Sequence, residues 1–199
     1  MQFERFTDFP SVYHEPKRYD AYVSRVEEHW RSLGWEKVPA GDEPMIKAAW
    51  LSLVQPRGKG MIIPKPSRAW RGKRLAQHQQ QPELEAEFTL KLLAAFRRCT
   101  RPGERLWVID WQHSWYYFNP QGDITVATRD EWAKPVLPDG DSYNYVAPDF
   151  RFGVITGWRE TGPVTLFGAN LLAAFDADPP KRFMRVCGTG KHRRGEPTA

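Results

Sequence analysis

The stretch from Arg105 to Phe167 constrains the fold most. It holds five short runs rich in β-branched and aromatic residues: Arg105–Asp110, Ser114–Phe118, Ser142–Val146, Arg151–Ile155 and Val164–Phe167. Turn-forming clusters punctuate them at Asn119-Pro120-Gln121-Gly122-Asp123 and Leu137-Pro138-Asp139-Gly140-Asp141. Helical patterns lie outside this region. Tyr19, Tyr22, Val23, Val26, Trp30 and Leu33 recur at helical spacing over Arg18–Leu33, and Gly34 stands where a helix-terminating glycine belongs. From Pro82 a second helix carries Leu84, Phe88, Leu92, Ala95 and Phe96 as its buried stripe. Glutamates crowd its start and Arg97 and Arg98 its end, matching the helix dipole. A third short helix follows Gly168, over Asn170–Phe175, and Phe183–Val186 reads as a last edge strand. Met45–Val54 is expected as a strand from weak alternation, although Ala48, Ala49 and Leu51 would also suit a helix. Met61–Ile63 is a further short strand, and the polar stretch Arg71–Pro82 a loop. Helices and strands segregate by region, so the expectation is α+β: one domain over residues 1–187, a mostly antiparallel sheet with two to three packed helices, then a basic tail, 188–199.

Composition narrows the class further. The chain of 199 residues has ordinary globular hydrophobic and charged fractions, 41% and 27%, and no apolar run of membrane-spanning length. Its two cysteines, Cys99 and Cys187, exclude a disulfide scaffold and a four-cysteine zinc site. The N-terminal residues lack the apolar core of a secretory signal, and a cytoplasmic protein without a membrane segment is expected. Charge is uneven. No acid occurs from Pro44 to Pro82, whereas Glu104–Glu160 has nine acids against five bases.

The second half resembles a bacterial, largely actinobacterial, family of unknown function, domain-of-unknown-function family 2716. The resemblance rests on an ordered series: Arg101-Pro102-Gly103-Glu104-Arg105-Leu106, Asp110-Trp111-Gln112-His113, Tyr116-Tyr117-Phe118-Asn119-Pro120, Trp132 to Asp141, Ala147-Pro148-Asp149-Phe150-Arg151-Phe152-Gly153 and Leu166 to Leu172. With Ile62 to Ser67 as an earlier landmark, the family-like core is read as about 62–175. Two departures stand out. Ser142 follows Gly140-Asp141 where the family commonly has an aromatic residue. Thr156-Gly157-Trp158-Arg159 replaces the family's Gly-His-Pro-Trp run. The resemblance implies a fold and no activity.

Four groups of residues could carry chemistry. Asp110 and His113 could serve as orienting carboxylate and general base, provided that a bend brings them to one face; the alternative is a hairpin corner. Asp139, Asp141 and Asp149 offer carboxylates, but a calcium loop starting at Asp139 would need a glutamate where Phe150 stands, so no metal and no cofactor are expected. Trp111, Trp115 and Tyr117 belong to an aromatic group whose alternate members must face outward on a strand, and suit a partner surface. Arg68, Trp70, Arg71, Lys73 and Arg74 combine phosphate-neutralising charge with an indole that could stack on a base.

No nucleophile elbow, zincin or dinucleotide motif occurs. The leading expectation is a non-enzymatic protein-binding module, of immunity type if its partner is a basic toxin. Metal-assisted hydrolysis through Asp110, His113, Asp139 and Asp141 is the alternative, and nucleic-acid binding through residues 68–74 the second.

Overall fold

In a computed structural model, the structure describes residues 24, 28, 30–53, 63–72, 82–109, 115–122, 143–156, 164–181 and 183–185. Eight strands form one sheet: β1 (Trp35–Lys37), β2 (Ser67–Gly72), β3 (Leu106–Ile109), β4 (Tyr116–Phe118), β5 (Asn144–Val146), β6 (Gly153–Thr156), β7 (Val164–Phe167) and β8 (Phe183–Arg185). Their spatial order is β1-β4-β3-β5-β6-β7-β2-β8, with antiparallel pairing throughout. The helices are α1 (Glu43–Leu53), α2 (Pro82–Cys99) and α3 (Ala169–Asp176). Residues 30–32 are also helical, and the turn beyond them ends on Gly34 at φ 82. This is an α+β fold built on one antiparallel sheet.

Period-2 alternation divides the side chains between two cores. Tyr116 and Phe118 of β4, Leu106 and Val108 of β3, Tyr145, Val154 and Leu166 point to a first face covered by α2 and α3. This core is strongly aromatic. Trp35 meets the Tyr143 ring edge-on at 5.2 Å, and Phe96 of α2 lies 5.5 Å from Tyr145. Such contacts add to the area burial that dominates packing. On the second face Trp107, Ile109, Val146, Ile155 and Phe167 receive α1, whose Ile46, Ala49, Trp50 and Leu53 recur at the i, i+3, i+4, i+7 spacing of one helical stripe.

Met45–Val54 is therefore helical through Leu53, and the strand expectation is corrected. Ile46 N–H donates to Asp42 C=O at 3.1 Å to open the helix, and the apolar side chains fit a 3.6-residue period better than alternation. Arg71 and Gly72 likewise belong to β2 rather than to a loop, while Ile63, expected in a strand, lies outside one.

Candidate functional site

The register fixes which strand ends lie together. Ile109 pairs with Asn144, Val108 with Tyr116 and Thr156 with Val164, so these residues share one end of the sheet. A carboxamide ties that end. The Asn144 Nδ2 donates to the Ile109 carbonyl at 3.4 Å, and its Oδ1 accepts from Thr156 N–H at 3.2 Å. Thr156 Oγ1 donates to the Tyr143 carbonyl at 3.0 Å. Asn144 thus joins β3, β5 and β6, a role that a lone asparagine within a strand run did not signal. Asp110, Trp111, His113, Asp139, Asp141, Lys73 and Arg74 lie outside the described residues.

Trp115 and Tyr117 are on the second face, where both are half-buried and packed against its core. The Trp115 carbonyl accepts from Val38 N–H at 2.9 Å, continuing the β1–β4 ladder. The Tyr117 hydroxyl donates to Asp42 Oδ2 at 3.0 Å, just before α1. Burial pushes the phenol pKa up and the Asp42 hydrogen bond adds to the shift, so Tyr117 is held as a protonated donor. The Arg105 guanidinium stands 4.3 Å over the ring and reaches Glu36 at 2.6 Å, opposite Tyr117 on β1. Next to them Trp107 meets the Phe150 ring edge-on at 5.7 Å. Trp115, Tyr117 and Phe150 thus form an aromatic band with Trp107, rimmed by Asp42, Glu36 and Arg105. What it offers is amphipathic contact area, the currency of binding surfaces.

Asp149 is not part of this group. Strand β5 carries the chain away from Tyr143 to the opposite end of the sheet, where Asp149 Oδ2 accepts from Arg151 Nη1 at 2.8 Å and Oδ1 from Arg151 N–H at 3.2 Å. Arg151 Nη2 donates to the Cys99 carbonyl at 3.1 Å and pairs with Glu104. The arginine thereby clasps the end of α2 to the β5–β6 turn. The Arg151 hydrogen bond holds Glu104 below the usual carboxylate range. Burial pushes Asp149 up, but its hydrogen bonds with Arg151 outweigh this and leave it low. Burial raises the neighbouring Cys99 thiol, against the pull of Arg151 and Arg98. Both oxygens of Asp149, expected as a contact residue with Asp139 and Asp141, are engaged by Arg151.

The basic segment is also reassigned in part. Trp70 is only 6% exposed and meets Phe175 of α3 at 5.2 Å, and Arg68 forms an ion pair with Asp176 at the end of the same helix. A ring buried in the first core has no face for a base to stack on. Strand β2 lies between β7 and β8, and the alternation along it puts Trp70 on the side of the first core. Arg71 is within the strand, opposite Met184.

Among the described residues no group of three His, Cys, Asp or Glu side chains could hold a metal ion, and no helix is long and apolar enough to cross a membrane. Residues 46–172, from inside α1 to inside α3, match the family described as a protein of unknown function, DUF2716. The chain belongs to this family. The DUF2716 match begins at Ile46, earlier than the Ile62 landmark, and so takes in the helix on the second face. A relative is the uncharacterized protein YxiI of Bacillus subtilis (strain 168), 33% identical over 109 residues. That alignment covers 54% of this chain and 66% of the relative, just under two thirds of its length. No solved structure matches the chain.

Proposed function

We propose that this DUF2716 protein is a non-enzymatic module that binds another protein. The supporting observation is the aromatic band of Trp115, Tyr117 and Phe150, half-buried on the sheet face against which, among the described residues, α1 packs. Tryptophan, tyrosine and arginine dominate the energetics of protein interfaces, and here Arg105 stands directly over Tyr117. Trp111, Asp139 and Asp141 complete the proposed contact set, the carboxylates favouring a basic partner through faster encounter. A toxin held by an immunity-type protein is the partner class with that chemistry. The test is capture from nuclease-treated extract of the source cells by the tagged full chain. One protein retained at stoichiometric level, and lost with Trp115→Ala and with Asp139→Lys/Asp141→Lys, is the expected result. An empty capture, or the same protein retained by both variants, overturns the reading.

A second reading is metal-assisted hydrolysis by Asp110, His113, Asp139 and Asp141. The pairing of Ile109 with Asn144 on neighbouring strands supports it, since in sequence Asp110 directly follows Ile109 and Asp141 precedes Asn144 by three residues. Titration calorimetry with divalent zinc, magnesium and calcium decides it. Binding abolished by Asp141→Asn supports this reading, and no heat with any of the three ions removes it.

A further inference from the structure

We draw no further inference here: the strongest candidate, the exposed apolar side of helix α1 formed by Met45, Ala48 and Leu51, carries none because nothing in the structure shows what covers it.

Discussion

Gly168 precedes α3 with φ 93 and donates its N–H to the Pro66 carbonyl at 2.9 Å. A Cβ there would lie 2.3 Å from the Arg151 carbonyl and 2.7 Å from Phe152 Cβ, in a backbone region that side chains avoid. Gly168→Ala is therefore expected to lower stability by about 2 kcal/mol or more, read from the urea midpoint. Gly153 presents the steric problem alone: a Cβ would meet the Phe167 ring and the Tyr145 carbonyl, each at 2.6 Å. Gly153→Ala should cost about 1–3 kcal/mol through the same measurement. Neither constraint could be read from sequence. Both arise from a neighbouring strand or turn coming close, whereas Gly34 announced itself by standing at the end of a periodic run.

Arg151 acts between elements, joining α2, the turn after it and the β5–β6 connection. Arg151→Met should remove about 1–3 kcal/mol of stability, since it leaves charge-assisted hydrogen bonds unmade at a helix end. The pH dependence follows from Glu104 and Asp149, both held below the usual carboxylate range. A depressed carboxylate stabilises the fold above its unfolded pKa, and that contribution is lost as pH falls through the folded value. Stability should thus drop below about pH 5, and the drop should be shallower in Arg151→Met; urea midpoints from about pH 7 to about pH 3 would show it. A parallel loss in the variant would assign acid sensitivity elsewhere. Most elements were legible from pattern. Helix α2, strand β7 and the aromatic strands β3 and β4 follow their periodicities closely. Helix α1 was misread because Met45–Leu53 is apolar enough to satisfy weak alternation and a helical stripe at once. Strand β2 was hidden because its arginines suggested solvent, yet Arg68 is neutralised by Asp176 and Trp70 fills a core. Of the candidate residues, the strand alternation located Trp115 and Tyr117, but Asp42, Arg105 and Glu36 come to Tyr117 from separate elements, which no local spacing encodes.

At the scale of the molecule, the two cores are the two sides of one sheet. Trp30, Trp35 and Trp70 report on the first, Trp50 and Trp107 on the second. Since every strand carries hydrogen bonds that serve both, unfolding is expected as one transition, with tryptophan fluorescence and far-ultraviolet circular dichroism tracing the same curve in urea. A second midpoint in the fluorescence would show α1 and its face melting separately. Strand order has a further consequence for a chain made from one end. Residues 67–72 leave the ribosome early, yet β2 has no neighbour until Val164–Phe167 and then Phe183–Arg185 have been synthesised. Until then Trp70 and an unpaired strand are open to other chains, a state prone to aggregation. The pace of translation over the intervening stretch therefore sets how long each nascent molecule stays vulnerable, and fragments ending before β7 are expected to be captured by chaperones rather than to fold.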